Sequence, residues 1–200
     1  TRLMAGRDIV NSGQMVGLLG PIQIEGTAQT TGNLFVHDAP TDVSVVSAGR
    51  DILFSSFNVA GPGTLEITAG RQLRLEDQAT LNSLGAIVPG DKRPGADIAL
   101  QAGAGSGPDY LAFALRYLDP ANRIAPGASL GAGGVAQTYE AELAAWLAER
   151  FGFSGSREQA LAYFTALAPE QQRIFARQLY FAELRAGGRE YNDAGSPRFG

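Results

Sequence analysis

The chain has 200 residues, of which 44% are hydrophobic, and a formal net charge of −4. This apolar content supports a sizeable core and excludes a disordered polymer, and the acidic balance excludes the basic surface that nucleic-acid-binding proteins use. There is no cysteine, which excludes disulfides, thiolate zinc sites and cysteine nucleophiles, and no apolar run approaches the ~20 residues of a membrane span.

Four Ala-Gly pairs between residues 5 and 103 follow a common pattern. The copies lie at positions 5–6, 48–49, 69–70 and 102–103, and arginine follows the first three. An aliphatic residue stands three positions before each glycine. The spacings of 43, 21 and 33 residues predict a repeat of about 20 residues, with one silent copy and one insertion. The silent copy is expected around Ile22 to Ala28, and the insertion is expected to be a loop from Leu84 to Gly95.

Apolar and polar residues alternate within each repeat, as around Val43 and Val45 or Leu65 and Ile67. This period predicts short half-buried strands separated by turns, and its fixed recurrence predicts a parallel β-solenoid over residues 1–106. In such a fold the repeated alanine faces inwards and the glycine permits a tight corner. The arginine is expected to point outwards and stack on its copies.

The repeat frame also predicts how individual residues are placed. The Ala-Gly-Arg corner at 48–50 is expected to lie directly against the corner at 69–71. The corner at 5–7 is expected two repeats earlier, because the silent copy would intervene. Phe54 and Leu75 are expected to face inwards, as the next strand positions after Ile52 and Leu73.

The pattern changes to helical in the second half. Residues 107–137 are predicted to connect the two halves, with a short helix within Gly107 to Pro120 and a glycine-rich loop. Residues 138–200 are predicted to form a helical module that caps the open end of the solenoid, since an exposed sheet edge invites aggregation. The first helix of the module is expected to bury one face, formed by Tyr139, Leu143, Trp146, Leu147 and Phe151.

The boundaries of the remaining helices follow from short signals. Ser156 and Gln159 form a capping-box pattern that predicts the start of the second helix of the module. Pro169 is expected to begin the third, which is predicted to end at Gly187 and Gly188.

Several residues are candidates for a chemical site. His37, the single histidine, is followed by Asp38 and Asp42, which fits either a small metal or acid–base cluster or, as we favour, a polar turn. A Ser-His-Asp triad could only use His37, and no G-x-S-x-G pattern supplies its nucleophile. The glycine clusters from Gly103 to Pro108 and from Gly131 to Gly134 could cradle phosphate, but their spacing favours turns.

Asp8 and Asp51 occupy the same frame position, where a third repeat has Gln72. A polysaccharide-active enzyme needs two carboxylates on one face, whereas solvated turn carboxylates are the alternative that we favour. Asn192 and Asp193 could hold calcium only weakly. Aromatic residues in the helical half could form a partner-binding patch, but their spacing favours a packed core. They are Tyr163, Phe164, Phe175, Tyr180 and Phe181. We therefore assign no catalytic, cofactor-binding or metal residues.

The segments AGRDI and AGRQL, with TLEITAG between them, resemble filamentous-haemagglutinin-like exoproteins of bacterial two-partner secretion. The segment LAPEQQRIFARQLYFAELRAGGREYND resembles a helical module near the C-terminal end of such chains. The resemblance implies a fold of class β-solenoid plus α, with right-handed parallel β-helix rungs followed by a small helical C-terminal module.

The resemblance also implies a function. It suggests a non-catalytic adhesive segment of a large secreted or cell-surface virulence exoprotein, exported by an outer-membrane transporter and acting in adhesion, biofilm or cell–cell contact. A cell-surface receptor or glycan would be the partner. The alternatives are a polysaccharide-active β-helix enzyme and a receptor-binding or delivery segment of a contact-dependent inhibition system. Because the sequence starts at Thr1 without methionine and stops abruptly at SPRFG, we also expect the chain to be a fragment of a larger protein.

Overall fold

The computed structural model describes residues 1–12, 33–75, 79–86, 88–105, 107–125, 128, 130–131 and 133–199. They form two compact units, a strand unit of Thr1–Pro108 and a helical unit of Asp109–Gly200. The strand unit holds ten short strands. These are β1 (Arg2–Ala5), β2 (Ile9–Val10), β3 (Asn33–Val36), β4 (Val43–Ala48), β5 (Asp51–Leu53), β6 (Phe57–Ala60), β7 (Thr64–Ala69), β8 (Gln72–Arg74), β9 (Leu81–Ser83) and β10 (Asp97–Ala102).

Every third strand joins the same sheet, and all neighbours are parallel. The sheets have the orders β1-β4-β7-β10, β2-β5-β8 and β3-β6-β9. The register aligns the repeated alanines, because Ala5 pairs with Ala48, Ala48 with Ala69, and Ala69 with Ala102. The repeat frame found in the sequence is therefore also the pairing register of the strands.

One apolar core is shared by the strands of all three sheets. Its fully buried members include Val46 and Ile67 from the first sheet, Ile52 from the second, and Phe57 and Val59 from the third. These residues are β-branched or aromatic, which suits a pleated and buried surface. Alternation of side chains along each strand directs them to the same interior.

The predicted fold class is wrong. The described residues form a small α/β protein with three short parallel sheets and four α-helices, and these sheets are not curled into a right-handed β-solenoid. Periodicity predicts which strands are equivalent neighbours, but it does not predict the path of the segments that join them. Those segments are unequal here, since two residues separate β4 from β5 while residues 11–32 separate β2 from β3.

The predicted position of the first corner is also wrong. β1 pairs directly with β4, so the corner at 5–7 adjoins the corner at 48–50 and no silent strand lies between them. The extra sequence falls between β2 and β3, and the proposed silent copy at Ile22 to Ala28 lies outside the described residues. The predicted insertion, by contrast, is confirmed, because β9 ends at Ser83 and β10 begins at Asp97.

Phe54 and Leu75 do not join the core. Phe54 has a φ of 52° directly after β5, which interrupts the alternation of the strand. The Arg74 guanidinium lies 6.0 Å from the centroid of the Phe54 ring. Leu75 follows the end of β8 and is 36% exposed. The prediction that both side chains face inwards assumed that β5 and β8 extend further than they do.

Glycine is needed at two of the corners because backbones approach closely there. A Cβ at Gly49 would lie 2.2 Å from the carbonyl oxygen of Gly6, and a Cβ at Gly70 would lie 2.2 Å from that of Gly49. The amide of each glycine also donates to the alanine carbonyl of the preceding corner, at 2.9 Å for Gly49 and 3.0 Å for Gly70. A side chain at either position would separate the strands.

The helical unit contains α1 (Tyr110–Leu118), a short 3-10 helix (Pro120–Asn122), α2 (Glu140–Phe151), α3 (Arg157–Ala166) and α4 (Pro169–Glu190). The predicted buried face of the first helix of the module is confirmed for α2, where Leu143, Trp146 and Leu147 are buried. The capping box of Ser156 and Gln159 is present at the start of α3.

α1 lies within its predicted range, and Asp109 caps it by accepting a hydrogen bond from the amide of Ala112. One helix boundary differs from the prediction. α4 begins at Pro169 as predicted but continues through Gly187 and Gly188 to Glu190. Glycine costs only about 1 kcal/mol in a helix interior, so a glycine pair weakens a helix without requiring it to end. The capping role of residues 138–200 stays a prediction.

We expect Gly70→Ala to lower the free energy of unfolding by about 1–3 kcal/mol, because the added Cβ overlaps a carbonyl of the next strand. Gly6→Ala is the matched control, since a Cβ there meets no atom within 4 Å. The control should change stability by less than about 1 kcal/mol. Urea denaturation monitored by circular dichroism measures both variants, and equal effects would contradict the close-approach argument.

Candidate functional site

Ion pairs connect neighbouring corners of the strand unit. The Arg50 guanidinium donates to both carboxylate oxygens of Asp8, at 2.8 and 2.5 Å. Arg71 binds both oxygens of Asp51 in the same way, with its Nε at 2.8 Å. Each arginine thus reaches back to the aspartate of the preceding corner, rather than stacking on another arginine as predicted. We call these four residues the Arg–Asp ladder.

The ladder keeps both carboxylates ionised. The hydrogen bonds from Arg50 hold the pKa of Asp8 below its ordinary value of 3.8, and those from Arg71 do the same for the pKa of Asp51. Burial opposes both shifts but does not overcome them. Forked, charge-assisted hydrogen bonds of this kind fix geometry as well as charge.

This geometry bears on the predicted pair of catalytic carboxylates. Asp8 directly precedes β2 and Asp51 begins β5, so the two aspartates lie on neighbouring strands rather than two repeats apart. A carboxyl group that acts as the general acid of a glycosidase needs a raised pKa. Both pKa values are lowered instead, and Arg50 also approaches Asp51 at 3.6 Å, between the two carboxylates.

His37 directly follows β3, at the start of the turn, and is buried. Its Nδ1 donates to the carbonyl of Pro62 at 2.9 Å, because a carbonyl can only accept. Its Nε2 lies 2.8 Å from the hydroxyl of Ser44, which donates to it in the neutral tautomer. This is the contact of a nucleophile with its base, but His37 is 4% exposed and Ser44 is 1% exposed. A substrate cannot reach either group.

The acidic neighbours of His37 serve the turn that follows it. The carboxylate of Asp42 accepts hydrogen bonds from the amides of Asp38 and Ala39, at 2.8 and 2.9 Å. Among the described residues, no group of three His, Cys, Asp or Glu side chains could hold a metal ion. Asp193 likewise accepts from the amide of Gly195 within a terminal turn.

The glycine clusters do not form phosphate cradles among their described residues. The carboxylate of Asp109 accepts a hydrogen bond from the amide of Ala112 at 2.9 Å, in the first turn of the helix that follows Gly103 to Pro108. In the second cluster, Arg116 donates to the carbonyls of Gly133 and Gly134. A phosphate site would require amides directed at a ligand, and here carbonyls are directed at a cation.

Two of the five candidate aromatic residues of the helical unit belong to its core, as favoured by their spacing. Phe164 and Phe175 are buried against Trp146, with ring centroids 6.4 and 5.4 Å away. Tyr163 and Phe181 are about two-fifths exposed. Phe164 and Phe175 therefore belong to the core, whereas Tyr163 and Phe181 face outwards.

A second aromatic group lines a cavity of about 470 Å³ within the helical unit. This volume lies within the range of small-molecule sites, about 300–1,000 Å³. Its walls are mainly apolar, and the backbone of α4 forms part of them at the two helical glycines. The lining includes Phe113, Tyr117, Tyr180, Leu184, Gly187, Gly188, Tyr191, Glu183 and Arg198.

A buried polar network borders this cavity. Glu183 is 6% exposed and accepts from the hydroxyl of Tyr139 at 2.5 Å and from the guanidinium of Arg198 at 2.7 and 3.1 Å. Arg198 also donates to Glu190 at 2.8 Å, and Glu190 accepts from Ser196 at 2.6 Å. The network binds the C-terminal segment of the chain to α4.

Charge and burial shift the pKa values of this network. Burial, followed by the hydrogen bond to Glu183, raises the pKa of Tyr139 above its ordinary value, and burial raises the pKa of Tyr117. The hydrogen bonds to Glu183 raise the pKa of Arg198. Both tyrosines therefore stay neutral at physiological pH and contribute hydroxyl groups.

Sequence reasoning missed this network because Arg198 lies beyond the end of the last predicted helix. One signal was present, since Glu183 follows Ile174, Ala176 and Leu179 on the apolar stripe of α4. A carboxylate on such a stripe indicates a buried, partnered charge. Its partner could not be predicted, because only the folded chain brings position 198 next to position 183.

No known protein family, curated protein or solved structure matches the chain. The resemblance to filamentous-haemagglutinin-like exoproteins therefore stays a prediction. Among the described residues, no helix is both long enough and apolar enough to cross a membrane.

We expect stability to fall as the pH decreases below about 4, because the folded pKa values of Asp8 and Asp51 lie below the unfolded value. The stabilisation is present above the unfolded pKa and is lost as the pH falls through the folded pKa. Asp8→Asn/Asp51→Asn should be less stable at pH 7 and should lose less between pH 6 and pH 2. Melting temperatures across this range test the expectation. Glu142→Gln/Glu149→Gln, on exposed positions of α2, should retain the native profile.

We expect Arg198→Ala to lower the free energy of unfolding by about 3–5 kcal/mol, because it leaves the Glu183 carboxylate buried without its cation. Arg185→Ala is the control on the exposed side of α4 and should cost less than about 0.5 kcal/mol. Chemical denaturation monitored by near-ultraviolet circular dichroism reports the loss. A small effect of Arg198→Ala would show that the network contributes little.

Proposed function

We propose that the chain is a non-catalytic structural and adhesive segment of a large secreted or cell-surface bacterial exoprotein. The observation that carries the non-catalytic part is the Arg–Asp ladder. Its carboxylates, Asp8 and Asp51, are the pair that a polysaccharide-active enzyme would have used at this frame position. Each is bound by an arginine and has a lowered pKa.

The single histidine supports the same proposal. His37 engages both ring nitrogens within the strand unit and is shielded from solvent. General acid–base catalysis requires a group within hydrogen-bond reach of the substrate proton. The candidate side chains Asp8, Asp51 and His37 instead hold neighbouring segments of the strand unit together. This suits a protein with a structural role.

Adhesion and export rest on the resemblance of the AGRDI, AGRQL and LAPEQQRIFARQLYFAELRAGGREYND segments. Under this proposal an outer-membrane two-partner-secretion transporter exports the chain. Its cell-surface partner is a receptor or glycan. The absence of cysteine suits export through a pore, because no premature disulfide can form.

A second candidate is the receptor-binding segment of a contact-dependent inhibition system. The cavity of about 470 Å³ in the helical unit favours it, because aromatic walls around a few polar groups are typical of recognition sites. Tyr191 lies on this cavity and is 57% exposed, so it is available to a partner.

We expect the purified chain to bind bacterial or host cells and to release no sugar from a panel of polysaccharides. Flow cytometry with labelled protein and reducing-sugar assays measure the two activities. Glycan cleavage that disappears in Asp8→Asn/Asp51→Asn would contradict the non-catalytic proposal. Absence of binding to every cell type tested would contradict the adhesive one.

The same binding assay separates the second candidate from the first. Tyr191→Ser should reduce cell binding by about tenfold if the cavity is the receptor site, as expected for a central aromatic contact. Arg185→Ala serves as the control, since Arg185 does not line this cavity. Unchanged binding by Tyr191→Ser would place the adhesive surface elsewhere.

A further inference from the structure

Three contacts repeat wherever one Ala-Gly-Arg corner follows another. The glycine amide donates to the preceding alanine carbonyl, as Gly70 does to Ala48 at 3.0 Å. The arginine amide donates to the preceding arginine carbonyl, as Arg71 does to Arg50 at 2.7 Å. The arginine side chain binds the preceding aspartate, as Arg71 does to Asp51. Each corner is therefore built to receive the corner before it.

The corner at residues 5–8, which we call the leading corner, has these groups but no partner for them among the described residues. The amides of Gly6 and Arg7 donate to no carbonyl in that part of the chain, whereas those of Gly49 and Arg50 donate to the leading corner at 2.9 and 2.7 Å. The Arg7 side chain makes no ion pair there and acts on Asp8 only through its charge, because Asp8 is bound to Arg50.

Gly6 provides an independent observation. Gly49 and Gly70 must be glycine, because a Cβ at either would lie 2.2 Å from the glycine carbonyl of the preceding corner. Among the described residues, a Cβ at Gly6 would meet no atom within 4 Å. In this part of the chain no backbone therefore approaches the glycine of the leading corner, as one does at Gly49 and Gly70.

The chemistry of the missing partner follows from the ladder. Arg7 requires a carboxylate at the position that Asp8 offers to Arg50 and Asp51 offers to Arg71. The last strand of the second sheet has Gln72 at this position, paired with Asp51. The corner after β10, the last strand of the first sheet, reads Ala-Gly-Ala-Gly at residues 102–105. A second copy stacked head to tail would therefore offer no carboxylate to Arg7, which disfavours self-association.

We propose that β1 and the leading corner bind a further parallel strand whose corner reads Ala-Gly-Arg-Asp, supplied by a preceding segment of the same longer polypeptide. Its alanine and arginine carbonyls accept from the amides of Gly6 and Arg7, and its aspartate accepts the Arg7 guanidinium. The proposal relies on the proposed function only in that the chain is part of a larger protein.

The test uses the full chain extended before Thr1 by a second copy of residues 43–64. This places a new Ala-Gly-Arg-Asp corner 21 residues before Ala5, the spacing between the corners at 48 and 69. Hydrogen exchange of the Gly6 and Arg7 amides should slow by about tenfold or more relative to the native chain. In the native chain these two amides should exchange faster than those of Gly49 and Arg50.

Matched variants distinguish the effect of the Arg7 ion pair on stability from the effect of lengthening the chain. Aspartate to asparagine in the added corner should lower the melting temperature of the extended chain, and so should Arg7→Gln, with no further loss when both are combined. In the native chain Arg7→Gln should leave the melting temperature unchanged. Gly6→Ala, which is tolerated in the native chain, should become as costly as Gly70→Ala in the extended chain.

Two outcomes would overturn the proposal. Equal exchange of the Gly6 and Arg7 amides in the native and extended chains would show that the leading corner accepts no further strand. The second outcome is slow exchange of these amides in the native chain, with an oligomer visible by light scattering. If dilution removes both the slow exchange and the oligomer, the edge binds a second copy of the chain. Neither measurement depends on cell binding, so a failure here is distinguishable from a failure of the adhesive function.

Discussion

The backbones of successive Ala-Gly corners lie against one another, and this close contact sets the arrangement of the strand unit. With a glycine at each approach, the amide of one corner reaches the alanine carbonyl of the one before it. Once the corners are in contact, the parallel register of β4 against β7 and of β5 against β8 follows. A side chain at Gly49 or Gly70 would disturb all of these relations together.

The Arg–Asp ladder depends on the same contact. Arg50 and Arg71 reach the preceding aspartate only because the corners are in register, and their hydrogen bonds then lower the pKa values of Asp8 and Asp51. The ionised side chains of this unit that could have served in catalysis therefore hold neighbouring strands together. The contact that builds the sheets also removes these carboxylates from the set of possible general acids.

The helical unit distributes its charges differently. Glu183 and Arg198 form a buried pair beside a cavity whose walls are mainly apolar, and Tyr139 completes the hydrogen bonds of the carboxylate. Among the described residues, a Cβ at Gly187 or Gly188 would meet no atom within 4 Å, so open space remains beside α4. The helical unit thus holds an apolar cavity with a polar border, whereas the strand unit presents repeated corners and an edge strand.

The sequence by itself determined the repeat frame, the strand positions and several helix boundaries, because alternation, glycine corners and capping residues act over a few neighbouring residues. Leu3, Val46 and Ile67 align in the structure as their spacing required. Only the tertiary structure decided how the sheets are arranged, that the corner at 5–7 adjoins the corner at 48–50, and which partners bind Asp8, His37 and Glu183. These outcomes depend on the paths of unequal connections and on contacts between distant residues, which no local pattern encodes.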